Sequence, residues 1–447
     1  MSTRKLLVSV LVTVLVAGAS LFATGVPEGD VLRVGHIYDP ASSPVAADNY
    51  EWFAGIAREL EAEHDGLTVE LQFFQWDEID SRVMADFRAG LTEHDVIMTS
   101  PQLMAQHAAV GTLEDLQSRV DADWSEEQLA DFTWAAPWAD AEVGGQLLGI
   151  PLGAHARVLA YNTEMFEEVG LDPSRPPQTL EEVGEYARML TRDTTGDGSI
   201  DVYGLGIYLG PSRATIELAF APLLWEFGGE LWDEETMEAT FADEAGVRTV
   251  QVLRDLIDEY QVVSRANLAG TYDDNVMRAF VNGDVAMAWG WGSYWISMLE
   301  SEGFIEGVFP PTENVEVLRG TVGPNPTSLR ANFTNAWNVS ISSVSQNKDL
   351  AWEFVQKMIE ADRLIEFPDA GLPIRQSLWD APEYQTEFYG IWQEAVEMGR
   401  GMPPTAHYGE LADTVAAALQ EILVQDADIE STLQRFQDEY NRDYAGQ

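Results

Sequence analysis

The 447-residue sequence has no cysteine. That excludes disulfide staples, thiol nucleophiles, cysteine-held metals and a lipid anchor on an N-terminal cysteine. Basic side chains are scarce, with 25 Lys and Arg against 75 Asp and Glu, for a formal charge of −50. Only Lys5, Lys348 and Lys357 are lysines. A chain this negative repels phosphate backbones, so nucleic acid is excluded as a partner. No GxxxxGK[ST] phosphate loop occurs, nor HExxH, GxSxG or CxxC, and the six histidines are scattered. Internal repeats and low-complexity tracts are missing as well. Beyond the first residues there is no long apolar run.

The start of the chain is different. Arg4 and Lys5 precede an apolar run from Leu6 to Val16, followed by small residues. This predicts a secretory leader over residues 1–23, cleaved after Ala19 or Ala23, and a periplasmic or secreted protein that is not membrane-embedded after cleavage. A hydrophobic content of 46% is that of a globular chain, and the length suits two lobes of roughly 150–250 residues. The acids are spread along the whole sequence rather than clustered. Such a surface stays dispersed at high ionic strength, the halophilic reading; a cation-binding cleft is the rival.

Strand and helix patterns alternate. Leu32–Ile37, Leu67–Phe73 and Asp95–Thr99 read as strands, with helices predicted over Asn49–His64 and Trp76–Ala89. Later come helices at Leu180–Arg192, Ser212–Phe227 and Glu244–Tyr260, strands near Tyr203–Tyr208, Val285–Trp289 and Ala336–Ser342, and a helix at Lys348–Glu360 with Asn347 as its cap. The class is α/β. Ligands of such sheets sit beyond the strands' carboxyl ends, at His36–Ser43, Gln75–Asp77 and Thr99–Gln102.

Residues 149–184, GIPLGAHARVLAYNTEMFEEVGLDPSRPPQTLEEVG, carry the most information. A buried strand runs into a short helix that stops at Gly170, and Thr179 caps the next helix with Glu182 three residues on. The stretch resembles the GIP…YYN…F…GL…PP.TW.E signature of family 1 extracellular solute-binding proteins, the carbohydrate-binding, maltose-binding-protein-like components of ABC importers. Three further blocks follow in that family's order: Ala279–Met287, AWNVSISSVSQNKDLAWEFV from Ala336 to Val355, and GLPIR from Gly371 to Arg375. The resemblance implies a two-lobed periplasmic binding protein fold (type II-like). Each lobe would hold a mixed, mostly parallel sheet flanked by helices, and two or three crossing segments would form the hinge. On this reading residues 27–153 and 327–378 make one lobe, and 154–326 with 379–447 the other. It further implies a monomer without enzymatic activity that closes on a saccharide and delivers it to the transmembrane permease subunits.

Fourteen tryptophans supply flat faces for the C–H surfaces of an uncharged sugar. The densest aromatic run is Trp289 to Trp295. In the family an aromatic of this block faces the cleft, which selects Trp291 and Tyr294, with Trp289 left to the core. His155 occupies a position where the family places a ligand contact. Arg157 either pairs with vicinal hydroxyls or forms a salt bridge. Tyr38, Asp39, Trp76 and Asp77 sit at strand carboxyl ends, where relatives carry such contacts; Trp76 alternatively packs at a helix start. Asn332, Asn335 and Trp337 flank the returning strand as ligand readers or turn formers. Glu226 and Arg375 complete the set by family precedent, while Gly228 and Gly229 end a helix.

The loop DTTGDGSID, residues 193–201, has acids at its first, fifth and ninth positions, like a calcium loop. Asp193, Thr195, Asp197, Ser199 and Asp201 are its candidate ligands for a structural calcium; no other cofactor is required. Thr195 at the third position and Gly204 at the twelfth depart from the pattern. Three other functions stay open: a polyamine or other cationic ligand, a secreted glycosidase using paired carboxylates, and a binding protein that feeds a chemoreceptor.

Overall fold

A computed structural model describes residues 31–446 apart from 43, 77, 92, 134–135, 178, 293–314, 319–332, 368–370, 386 and 398. The predicted leader lies outside the described residues. In chain order the strands are β1 (Val31–His36), β2 (Thr68–Phe73), β3 (Val96–Thr99), β4 (Glu142–Val143), β5 (Gln146–Leu147), β6 (Ile150–Pro151), β7 (Arg157–Asn162), β8 (Trp232–Asp233), β9 (Glu238–Ala239), β10 (Met287–Gly292), β11 (Val315–Leu318) and β12 (Asn338–Ile341).

Two sheets organise the chain. The first has the order β2-β1-β3-β12-β6. β1 runs parallel to β2 and β3, while β12 returns antiparallel between β3 and β6. All four residues of β3 and of β12 are buried, as the unbroken apolar character of Val96–Met98 requires of a central strand. The second sheet centres on β7, with β10 and β11 both antiparallel to it. The mostly parallel arrangement expected there is limited to single bridges, Tyr203 to Val285 and Gly206 to Ala288. Topology explains the difference. β7 leaves the crossing region at Arg157, and β10 runs back towards it, ending with Gly292 opposite Arg157.

Between the sheets the chain crosses along residues 152–156. His155 N donates to Asn335 O at 2.7 Å and Asn335 N to His155 O at 3.0 Å. On the other side Ala154 and Leu372 exchange bonds of 2.9 and 3.0 Å, and Thr334 N donates to Arg400 O. Several separate segments therefore meet where the two sheets are joined.

Local chemistry sets the elements beside this crossing. Asp80, on the helix Ile79–Arg88, is buried yet satisfied: it accepts from Ser100 N and Oγ at 3.1 and 2.6 Å and contacts His107 Nε2 at 2.8 Å. This ties the loop after β3 to the helix before it. That helix starts at Ile79 rather than Trp76, leaving Trp76 in the loop after β2. The predicted helix Ser212–Phe227 forms, but widens to a π turn over Ile216–Phe220. Pro222 has no N–H to give to the carbonyl of Leu218 four residues back. The buried indole of Trp289 supplies it instead, Nε1 to Leu218 O at 2.9 Å. β10 is bulged here, its register shifting between Ala288 and Trp291. Gly290 takes φ +73°, and a Cβ on it would lie 3.2 Å from Leu218 O, so only glycine permits this approach. Asn347 precedes the helix Lys348–Met358 but does not cap it through its side chain, which reaches Val31 O at 3.0 Å instead.

Candidate functional site

The loop after β2 carries Trp76 with about half of its surface exposed (49%). Facing it, from the helical segment that begins at Arg213, the Arg213 guanidinium stands 5.2 Å from the indole centroid. Elements attached to the first and the second sheet thus meet at this contact.

Behind this contact lies a compact polar cluster. Arg213 Nε is 3.2 Å from Glu217 Oε1, one helical turn on. The fully buried Tyr408 donates its hydroxyl to the same oxygen at 3.0 Å. Burial raises the Glu217 carboxyl, while Arg213, the Tyr408 hydrogen bond and Arg157 pull it back. Burial likewise raises the Tyr408 phenol well above its ordinary range. Arg157 opens β7; its guanidinium lies 5.5 Å from the Phe333 ring and Nη1 donates to Ala156 O at 3.1 Å. Burial lowers its basicity, and Tyr272 and Glu217 oppose that shift. Tyr272 donates to Gly290 O at 2.8 Å, in the bulge of β10. Further along, Arg400 stacks 4.6 Å from Trp225 and pairs with Glu230 at 3.1 and 2.7 Å.

His155 is buried at the crossing, its imidazole held down to about 3 by burial first and by Arg157 second. It is therefore neutral, able to donate from one nitrogen and accept at the other. Asn335 Oδ1 is buried there with no hydrogen-bond partner among the described residues. Such an arrangement offers one flat apolar face, at Trp76, with planar hydrogen-bonding groups behind it.

Of the residues selected from sequence, the structure sets Trp76 against Arg213 and brings His155, Arg157 and Asn335 together at the crossing. Trp337 packs half-buried against the core. Tyr38 stands apart: it is 5% exposed and its ring packs among His36, Phe53 and Phe367, so burial of an aromatic in the core overrides its strand-end position. Asp39 accepts from Ala41 N at 2.9 Å and shapes a turn. Glu226 is buried in the helix Ala221–Glu226. Arg375 is committed elsewhere, to Asp131 at 2.7 Å with its guanidinium 5.4 Å from Phe132; in so acidic a chain the nearest carboxylate claimed it. Trp289 serves the core as expected. The Trp291 backbone pairs with Val158 in the second sheet. Asp77, Tyr294 and Asn332 lie outside the described residues. Sequence reasoning missed Arg213, Glu217, Tyr408 and Phe333. The Arg213/Glu217 spacing of four on one helix was the available signal.

The acidic loop uses its carboxylates as turn formers. Asp193 accepts from Gly196 N at 2.6 Å and Gly198 N at 2.7 Å, and Asp201 from Thr194 N and Thr195 N at 2.7 and 2.8 Å. These bonds hold both carboxyls below the usual aspartate range. Asp197 accepts from Ser199 N at 2.8 Å. Among the described residues no group of three or more His, Cys, Asp or Glu is placed to hold a metal ion. The cation expectation gains no support from this geometry, in keeping with the two departures from the loop pattern.

Residues 43–362 match the family of bacterial extracellular solute-binding proteins. The chain belongs to that family. Membership makes it the solute-capturing component of an ABC transporter, with a small-molecule ligand and a membrane permease as partners, working outside the cytoplasm. A Brucella abortus protein named only as a binding protein is 19% identical, covering 91% of this chain and 92% of its own length. A solute-binding protein of Thermotoga lettingae, solved with α-D-tagatose, superposes with a TM-score of 0.75 at 21% identity, covering 92% of this chain and 98% of that one. One from Agrobacterium radiobacter, solved with ribitol, gives 0.76 at 20% identity over 93% and 99%. At these identities the superpositions show a shared two-lobed fold. Among the described residues no helix is long and apolar enough to cross a membrane.

Proposed function

We propose that this solute-binding protein captures a saccharide or polyol by closing its two lobes and delivers it to the permease. The carrying observation is the contact of Trp76, from the first sheet's loops, with Arg213, which in turn pairs with Glu217 on the second sheet's helix. A guest that touches both Trp76 and Arg213 contacts both lobes at once. Because its affinity then differs between open and closed forms, it drives closure. The exposed ring of Trp76 suits the C–H face of a polyol, and guanidinium, carboxylate, imidazole and amide groups suit its hydroxyls. Micromolar capture needs only about −8 kcal/mol, which a few stacked rings and several hydrogen bonds of about 1 kcal/mol each supply after ordering costs. On this reading the protein acts as a monomer at high ionic strength after leader removal, and releases its ligand unchanged.

A thermal-shift screen of sugars, polyols and polyamines, followed by calorimetry on the hits, tests this reading. The expected result is saturable one-to-one binding of a saccharide or polyol that NMR recovers unaltered. Stabilisation confined to polyamines refutes it. Turnover of a glycoside moves the protein to the glycosidase class.

A further inference from the structure

A cavity of about 220 Å³ shares no residue with the cluster of Trp76, Arg213, Glu217 and Tyr408. Its walls come from three stretches far apart in the chain: the turn after β3 with Pro101 and Gln102, the helix Ala136–Ala141 with the adjoining β4, and residues 401–404. The floor is buried at Met104, Ala105 and Met402, while Ala139, Glu142 and Pro404 are exposed at the mouth. The charged side chains that line it are both acids, Asp140 and Glu142. Asp140 has no hydrogen-bond or ion-pair partner among the described residues, and burial alone raises its carboxyl to about 8. Asp80 differs, since its buried carboxylate is bonded on both oxygens. Gln102 is 9% exposed, and its amide likewise bonds to nothing among the described residues. A polar group set so deep without a partner is costly unless a guest in front of it supplies one. Backbone closes on the carboxyl from one side: a Cβ on Gly401 would come within 2.0 Å of Asp140 Oδ1. Glu142 accepts the Trp138 indole N–H on Oε1 at 3.0 Å, which leaves Oε2 unengaged among the described residues.

We infer that this cavity is a binding site for the primary ammonium group of a small organic cation, with Asp140, Glu142 and Gln102 as its acceptors. An ammonium head carries three N–H donors and no acceptor, and these three side chains each offer it an oxygen. The apolar walls at Met104, Val143, Met402 and Pro403 take the carbon chain. A water occupies about 30 Å³, so the space admits a short alkyl group with the head and is too large for a bare ion. The chain's charge of −50 raises the local concentration of such cations. Binding exchanges one proton for one cation: the Asp140 carboxylic acid gives its proton to solvent, and the carboxylate pairs with the incoming ammonium. The site goes beyond the saccharide-or-polyol reading and does not depend on it.

The experiment is calorimetry of the purified protein at about 1 M salt, where attraction to exposed acids is screened beyond about 3 Å while a buried pair is screened far less. Propylammonium is the probe. Propanol controls for shape, and tetramethylammonium for charge without N–H donors. Titrations in buffers of unlike ionisation heat, none a primary amine, count the protons released. Propylammonium is expected to saturate one site and to release about one proton at pH 7 and about a tenth of one at pH 9, as a carboxyl near 8 requires. Asp140→Asn is expected to abolish the proton release and to weaken binding about 10-fold or more, and Gln102→Met to weaken it less. Glu430→Gln removes an exposed acid elsewhere and is expected to change neither. Binding without proton release, equal binding of propanol or tetramethylammonium, or no saturable binding overturns the inference. An equal loss in Glu430→Gln overturns it too, as a mere effect of global charge. Proton release is read on the unaltered protein, so the test stands even where a variant fails to fold. All of these results leave the saccharide reading in place, because that reading rests on Trp76 and Arg213 and on its own screen.

Discussion

Trp289→Phe tests whether the indole replaces the backbone donor that Pro222 lacks. The Trp289 N–H reaches Leu218 O at 2.9 Å within the buried junction of β10 and the helix bearing Glu217. Removing it strands a buried carbonyl, which costs about 1–3 kcal/mol. The smaller ring leaves a partly filled space worth about another 1 kcal/mol. Trp289→Phe should therefore destabilise the protein by about 2–4 kcal/mol. Pro222→Ala restores an N–H at the position that serves Leu218 O in a regular helix. In that background the same substitution should cost about 1–2 kcal/mol less, and this difference is the coupling of a double-mutant cycle. Urea unfolding followed by far-UV circular dichroism measures all four proteins. Additivity within about 0.5 kcal/mol would refute the substitution of indole for amide.

Two further outcomes follow from the charge states. Burial holds His36 down to about 4 and His155 down to about 3, so both stay neutral in the fold while an unfolded histidine takes a proton near 6.5. Their contribution is complete above about pH 6.5 and is lost as pH falls, at up to about 1.4 kcal/mol per pH unit for each. Asp140, its carboxyl raised by burial to about 8, works in the opposite sense. Comparing variants isolates the histidines: His36→Gln and His155→Gln should each flatten the fall in stability between about pH 6.5 and 5, and an unchanged slope would contradict the neutral assignments. At the loop of residues 193–201, calcium or EDTA should leave the melting temperature unchanged, because the carboxylates already accept backbone amides; a rise with calcium would restore the cation reading.

The fold was legible because its signals are local. Val96–Met98 could only be a buried central strand, and Thr179, whose hydroxyl accepts from Glu182 N at 3.2 Å, marked a helix start. The candidate cluster was foreshadowed where family blocks or strand ends pointed at it, as for Trp76, His155 and Arg157. It was hidden where partners come from distant stretches. Glu217 and Tyr408 are 191 residues apart, and no periodicity links a helix face to a phenol so far down the chain. Tyr38 and Arg375 show the converse. Both sit where a ligand contact was expected, but an aromatic core took one and Asp131 the other, and those competitions are settled only by packing.

The position of β12 constrains how the molecule assembles. This strand fills the middle of the first sheet, between β3 and β6, yet the whole of β7, β10 and β11 precedes it in the chain. Until it arrives, β3 and β6 present open edges with unpaired amides, the kind of surface that invites mispairing with another copy. Closing the sheet must also wait for a long loop to be ordered first, which makes folding slow. A truncated chain ending before Asn338 is thus left with a split first lobe and a strong tendency to aggregate.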